Sequence, residues 1–209
     1  MCCDADNRVR IQDIRRRGRI NPGGPKILIR TAGKNGKNIN VTVRVRREKN
    51  GDIKDIFNIN LRAFGREDEG RLVDRLRNEV SPFISLVAED GDGTPVGHIL
   101  FTPVSVGRSA LRAVGLGPMA VLPERQGTGA GSALITEGLR ICSEEGIEAV
   151  FVLGHPEYYT KFGFGHASAR GIYWKSEEFA PYFFVIELVK GSLDGVTGEA
   201  GYHPAFDEV

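Results

Sequence analysis

Apolar and polar residues alternate through "INVTVRVR", Ile39 to Arg46, as they do in a half-buried strand. The period then lengthens. In "DIKDIFNINLRAF" the positions Ile53, Ile56, Phe57, Leu61 and Phe64 fall at helical spacing, and "GREDEG" breaks the pattern. "RLVDRLRNEV" places Leu72, Val73, Leu76 and Val80 on one face of a second helix, ended by Ser81-Pro82. "FISLVAED", "GDGT" and "PVGHILFTPVSV" read as strand, glycine-rich turn and strand, an antiparallel hairpin. "AVGLGPMAV" is a further strand, disturbed by Gly115, Gly117 and Pro118 in the way of a bulge or an open edge.

From Gly131 the pattern is regularly helical. Gly131, Leu134, Ile135, Gly138, Leu139 and Cys142 share a face, with Thr136, Glu137, Arg140, Ser143 and Glu144 expected to point away. Gly146 stops that helix. "EAVFVLG" is a buried strand, "HPEYYTKF" at most a short helix, and "GFGHASARGIYW" and "YFFVIELV" read as two closing strands. The hairpin calls for antiparallel pairing, and the strand–helix–strand unit at 113–153 calls for one parallel pair. The expected fold class is therefore α/β (α+β), with a mixed sheet flanked by helices.

Patterned sequence thus spans 39–190. Residues 1–38 are expected to be a basic, disordered extension, because "NPGGPK" and "TAGKNGKN" are rich in Gly, Pro and Asn. Residues 191–209 form a C-terminal tail. Charge sharpens this division. Residues 1–50 hold 14 Lys and Arg against 4 Asp and Glu, whereas the other 159 hold 14 against 23. Such a basic segment suits nucleic acid or another acidic surface, but no aromatics interleave with the charges and no recognition motif is present. No run of about 18 apolar residues exists, and the N-terminus lacks the apolar stretch of a signal peptide. Cys2, Cys3 and Cys142 make neither a disulfide framework nor a zinc pattern. The expectation is a cytoplasmic protein with no metal and no membrane partner.

The chemistry is concentrated in "VLPERQGTGAGSALI". Gly127, Gly129 and Gly131 sit where a strand gives way to a helix. Glycines let the backbone approach a ligand closely. The first N–H groups of a helix, with the partial positive charge of its dipole, make an anion site. A Walker loop would need a lysine in the loop, and none is there. A dinucleotide loop would need Gly-x-Gly-x-x-Gly directly at the strand end, whereas the spacing here is Gly-x-Gly-x-Gly after an intervening "LPERQ".

The loop instead resembles the acyl-CoA loop of the GCN5-related N-acetyltransferase (GNAT) family, whose signature Gln/Arg-x-x-Gly-x-Gly/Ala is met by Gln126 to Gly131. Val121 and Pro123 match the preceding Val-x-Pro. "YYTKFGF" is similar to the family's Tyr-x-x-x-Gly-Phe segment, with Tyr159, Gly163 and Phe164 in place. "GLGPMAVLPERQGTGAGSALI", "VLGHPEYYTKFGF" and "SLDGVTGEAGYHPAF" look most like the YhbS-like subgroup of predicted acetyltransferases. The element order agrees from about 39 to 190, and residues 1–38 are not covered.

The resemblance implies a mostly antiparallel sheet whose strand ending at Val121 splays from "EAVFVLG" to admit acetyl-CoA. Backbone at Met119, Ala120 and Val121 would hold the pantetheine arm. Backbone across Gln126, Gly127, Thr128, Gly129, Ala130, Gly131 and Ser132 would hold the pyrophosphate. Tyr159 occupies the position of the acid that protonates the leaving thiolate, with Tyr158 as its neighbour or substitute. His98, Glu124 and His155 are the candidates for a base, bulk water being the alternative. The Asn that many relatives carry in the "YYTKF" helix is missing, leaving His155 or Glu157 to take over its contacts. Glu67, Asp68 and Glu69 in "GREDEG" either attract a cationic amine or complement the start of the second helix. The implied activity is acetyl transfer from acetyl-CoA to an unidentified primary amine, and a homodimer is compatible with it. The rivals are a catalytically silent CoA-binding relative and a nucleic-acid-associated protein using the basic segment.

Overall fold

The computed structural model describes residues 26–32 and 38–209, with side chains from Val43 onward. Among them are ten strands: β1 Lys26–Ala32, β2 Asn38–Arg47, β3 Ile84–Glu89, β4 Pro95–Val106, β5 Ala113–Val121, β6 Ala149–Leu153, β7 Gly165–His166, β8 Ile172–Tyr173, β9 Phe183–Glu187 and β10 Gly198–Gly201. The α-helices are α1 Ile53–Phe64, α2 Asp68–Glu79, α3 Ala130–Glu144 and the one-turn α4 Pro156–Tyr159. The strands run in the order β1-β2-β3-β4-β5-β6-β9-β7, with β10 pairing β4 and β8. Pairing is antiparallel except for β5 with β6 and β10 with β8. This is the mixed, mostly antiparallel sheet expected from the sequence.

Alternation along the strands divides the core between two faces. Ile99 and Phe101 of β4, Val114 and Leu116 of β5, and Val150 and Val152 of β6 pack with Leu134, Ile135 and Cys142 of α3. On the other face Leu100 and Val87 meet Ile56 of α1 and Leu72, Val73 and Leu76 of α2. Farther along that face Val104, Ala113, Ala149 and Phe151 meet Ile172, Leu193 and Ala200 from the C-terminal third. Gly138 lets α3 sit directly on β4, since a Cβ there would lie 2.4 Å from the ring of Phe101.

Several expectations change. Lys26–Ala32, placed in the extension, pairs along β2 as an edge strand. Residues 1–25 and 33–37, with most of the basic segment, lie outside the described residues. Helix α2 begins at Asp68, inside "GREDEG", because Asp68 and Glu69 in its first turn complement the positive helix end. The stretch 163–174 is not one strand but two short ones around a turn at Ala167–Arg170. Glu137 does not face solvent. It is 5% exposed, and Arg140 grips both its oxygens at 2.7 and 2.9 Å. The tail belongs to the body, for β10 pairs β4 and the turn Pro204–Glu208 buries Ala205 beside Leu72.

Candidate functional site

Strand β5 runs beside β6 only from Ala113 to Leu116, paired with Ala149 to Val152. Beyond that point it continues to Val121, while β6 ends at Leu153. The register between β4 and β5 also slips here. Ile99 faces Met119 but Phe101 faces Leu116, so Gly117 and Pro118 supply an extra residue. Gly117 takes φ +152, open to glycine alone. The stretch Met119–Ala120–Val121 therefore follows β4 with its other edge turned into a gap. Leu153, 39% exposed, stands at the end of β6 across from it.

The chain leaves β5 through a 3-10 turn at Pro123–Arg125 and reaches the glycines. Gln126 reaches back, its Nε2 donating to the Val121 carbonyl at 3.1 Å. Thr128 Oγ1 donates to the Arg125 carbonyl at 2.6 Å. Gly127 and Gly129 take φ of +70 and +92, and Gly129 caps α3. The helical ladder starts with Ala133 N–H donating to the Gly129 carbonyl at 2.9 Å. The N–H groups of Ala130, Gly131 and Ser132 precede it, unclaimed by helical geometry, at the positive end of a 15-residue helix. No side chain caps this helix end. An open strand edge thus leads into a turn whose backbone N–H groups stand at the positive start of α3.

The two tyrosines of α4 sit differently. A Cβ on Gly131 would lie 2.6 Å from the Tyr158 hydroxyl, so Tyr158 reaches the start of α3. Tyr159 is 7% exposed, packs edge-on against Tyr158 and Phe164, and lays its ring over the bare Cα of Gly154 at the end of β6.

His98 and Glu124 fare poorly as bases. His98 is fully buried between β3 and β5. Ser85 Oγ donates to Glu48, so it accepts from His98 Nε2 at 2.9 Å, which leaves Nδ1 facing Asn60 Nδ2 at 3.5 Å. Burial, with nearby Arg77 adding to it, pulls the His98 pKa down to about 3, so the ring stays neutral. His98 is thus a core residue in a hydrogen-bond chain. Glu124 is exposed, and its own backbone amide together with Arg62 at 3.0 Å lowers its pKa and its basicity. His155 and Glu157 are exposed on α4 and its approach.

The acids of "GREDEG" serve the start of α2. Glu67 pairs with Arg71 at 2.6 Å, and Asp68 and Glu69 pair with Arg66 at 3.4 and 2.5 Å. Glu69 keeps one oxygen, Oε2, buried without a partner. Sequence reasoning missed three further groups on the same face of the sheet: Asn60 Oδ1, Thr102 Oγ1 and Tyr202 Oη, all buried and unpartnered. No motif marks them, because each is brought in by long-range packing. Among the described residues no group of three His, Cys, Asp or Glu is placed to hold a metal, and no helix is long and apolar enough to cross a membrane.

A sequence profile of the acetyltransferase (GNAT) domain matches residues 44–167. The chain is 37% identical over 148 residues to the uncharacterized N-acetyltransferase YhbS of Escherichia coli K12, covering 70% of this chain and 87% of that one. It is 42% identical over 118 residues to the uncharacterized N-acetyltransferase YjhQ of the same organism, 54% of this chain and 64% of that one. Among solved structures, Escherichia coli YhbS in complex with CoA superposes with a TM-score of 0.75 at 33% identity, over 80% of this chain and 93% of that one. A GNAT acetyltransferase from Brucella melitensis in complex with acetyl-CoA gives 0.65 at 35% identity, over 79% and 98%.

Proposed function

The chain belongs to the GNAT acetyltransferase family, and from that premise we propose that it moves an acetyl group from acetyl-CoA to a primary amine in a ternary complex. The observation that carries this reading is the continuity of the open β5 edge, Met119–Val121, with the N–H cradle at the start of α3. An amide-bearing arm fits the first and a pyrophosphate the second. The CoA and acetyl-CoA complexes of the two relatives support the same ligand here.

In this reading Gly127 and Gly129 hold the loop in left-handed conformations, and a Cβ on Gly127 would meet nothing within 4 Å, so the cradle is open. Gln126 ties the loop to the end of β5 through the Val121 carbonyl, which holds cradle and strand edge in one frame. The thioester supplies an activated acyl carbon. The amine must arrive unprotonated, which for a lysine-like amine of pKa about 10.4 costs roughly 4–5 kcal/mol at pH 7. Its lone pair forms the C–N bond at that carbon. The C–S bond breaks with its electron pair on sulfur, and the sulfur takes a proton. Tyr159, beside the gap at Gly154, is the proposed donor of that proton. The amine proton leaves to solvent in this reading, since His98 is sealed in the core and the basicity of Glu124 is lowered by its own backbone amide and by Arg62.

A second reading keeps the CoA site without turnover, and what favours it is that neither His98 nor Glu124 is suited to act as a base. One experiment separates the two. Calorimetry with CoA tests the cradle, and thiol release from acetyl-CoA with a panel of amines tests transfer. CoA binding with release for at least one amine supports the enzyme. Binding without release for any amine supports the silent relative. An absence of binding removes both.

A further inference from the structure

The turn between β3 and β4 lies beside the segment that leads from β5 to the glycines. Val121 pairs with Gly97, and the Leu122 N–H donates to the Val96 carbonyl at 2.9 Å. An ion pair carries the contact past the end of this ladder. Arg125 Nη2 donates to Asp90 Oδ2 at 2.8 Å. Asp90 is itself fixed. Its N–H donates to the Thr94 carbonyl, and its own carbonyl accepts from the Gly93 N–H, both at 3.0 Å. Its side chain is 11% exposed, against 51% for Glu124 in the neighbouring pair with Arg62.

Arg125 passes that anchorage on to the glycine loop. Its carbonyl accepts from Thr128 Oγ1 at 2.6 Å, and its N–H donates to the Leu122 carbonyl at 2.8 Å. Thr128 sits between Gly127 and Gly129, whose φ of +70 and +92 shape the turn. A chain of contacts thus runs from Asp90 through Arg125 to Thr128, from the hairpin to the last residues before α3. Charge makes this placement telling. The Thr94 N–H is shared by Asp92 Oδ1 at 2.9 Å and Asp90 Oδ1 at 3.2 Å, so two carboxylates stand together on the turn. They lie one arginine side chain away from a loop that would hold an anion. Their charge alone opposes the anion. Asp90 therefore belongs there only if what it does for the loop outweighs that repulsion.

We infer that Asp90 is a positioning residue for acyl-CoA binding, which through Arg125 and Thr128 holds the glycine loop in the shape that receives the pyrophosphate. This rests on the CoA-binding reading and adds to it a residue on the β3–β4 turn, outside the glycine signature. Glycines leave a loop with much freedom to lose. A loop ordered beforehand spares the ligand that loss, which is how pre-organisation raises affinity. Asp90 acts on no reacting atom, so its effect falls on affinity and not on the chemical step. Arg125 is half in water, and such an ion pair adds little to the stability of the fold.

The test uses Asp90→Ala, Arg125→Gln and the double variant in the full chain. Alanine removes the acceptor for Arg125, while Asp92 keeps the Thr94 N–H partnered. The readouts are melting temperature, CoA affinity by calorimetry, and kcat and KM for acetyl-CoA and for S-acetylpantetheine, which lacks the pyrophosphate. Asp90→Ala should keep the melting temperature within about 2 °C of wild type. It should weaken CoA binding about three- to tenfold. The loss should appear in the KM for acetyl-CoA with kcat held, and kcat/KM for S-acetylpantetheine should stay within about twofold. In the Arg125→Gln background Asp90→Ala should cost nothing more, because Asp90 acts through that arginine. The sign is diagnostic. If Asp90 were only a nearby negative charge, removing it would tighten CoA binding. Tighter or unchanged binding in Asp90→Ala overturns the inference. So do additive losses in the double variant, or equal losses for the two thioesters. If the chain binds CoA but acetylates no amine, the calorimetric cycle decides the inference by itself. A wild-type chain that binds no CoA removes the CoA-binding reading and this inference together, and is told apart because wild type itself fails.

Discussion

The hydroxyl of Tyr158 lies 2.6 Å from where a side chain on Gly131 would begin, whereas the next atom of that tyrosine is 3.8 Å away. The glycine is thus kept free of a side chain by one oxygen atom. Gly131→Ala should push Tyr158 and the first turn of α3 apart, at a cost of about 1–3 kcal/mol. CoA affinity should fall several-fold with it. Adding Tyr158→Phe removes the clashing atom alone, and most of the lost melting temperature and affinity should return. A double variant no better than Gly131→Ala would show that the glycine is needed for another reason.

Gly129 caps α3 at φ +92. Asp and Asn both tolerate such a conformation better than other residues. Gly129→Asp places a carboxylate in the cradle, and Gly129→Asn places a neutral group of the same size. An acid at a helix start favours folding, so the fold should survive. The Asp variant should bind CoA at least about tenfold more weakly than the Asn variant, a gap of about 1.4 kcal/mol or more. Equal affinities by calorimetry would mean that no phosphate sits there.

Much of the geometry of the candidate site was legible in the sequence, and the reason is local. Gly127, Gly129 and Gly131 mark a strand-to-helix junction whose proposed chemistry is made by backbone within six residues, and Gly117-Pro118 marks the bulge beside the open strand edge. His98 was not legible, because its burial depends on β3, β5 and α1 closing over it. The Tyr202 position depends on the chain returning across Gly115 from far along the sequence, which no periodicity records. Strand β1 was missed because its "KILIRTA" sits between Gly- and Pro-rich flanks that read as unpatterned.

His98 should make the fold sensitive to acid. Its pKa is about 3 in the folded chain, against an ordinary value of 6.5. Below pH 6.5 the unfolded chain takes up a proton that the folded chain refuses, so stability is lost as pH falls from 6.5 towards 3. By pH 4.5 the loss is about 2–3 kcal/mol, from about 1.4 kcal/mol for each unit. His98→Gln starts less stable, for it breaks the link from Asn60 to Ser85, but its unfolding free energy should fall less between pH 6.5 and 5. Equal slopes for the two proteins in urea titrations would show that His98 charges within the fold. The variant should also keep the kcat of wild type at pH 8 and 15 °C, where both are folded, since the ring is no base.

Tyr159→Phe should strike the chemical step alone. The ring fills the space over Gly154 and packs edge-on against Tyr158 and Phe164, and phenylalanine keeps all of that. What it loses is a donor beside the gap between β5 and β6. A phenol donates through its O–H and can give that proton to a departing thiolate. The hydroxyl then matters mostly in the transition state, so kcat should fall and the affinity for acetyl-CoA should hardly move. General acid catalysis is worth about 10²–10⁴-fold, a range that thiol-release kinetics resolves easily. The loss should shrink for an acetyl thioester of a more acidic thiol, which leaves without help. Wild-type turnover in Tyr159→Phe, with chemistry limiting the rate, would sink the assignment. If Tyr158→Phe also turned over normally, the thiolate would be taking its proton from water, and α4 would serve only to wall the gap.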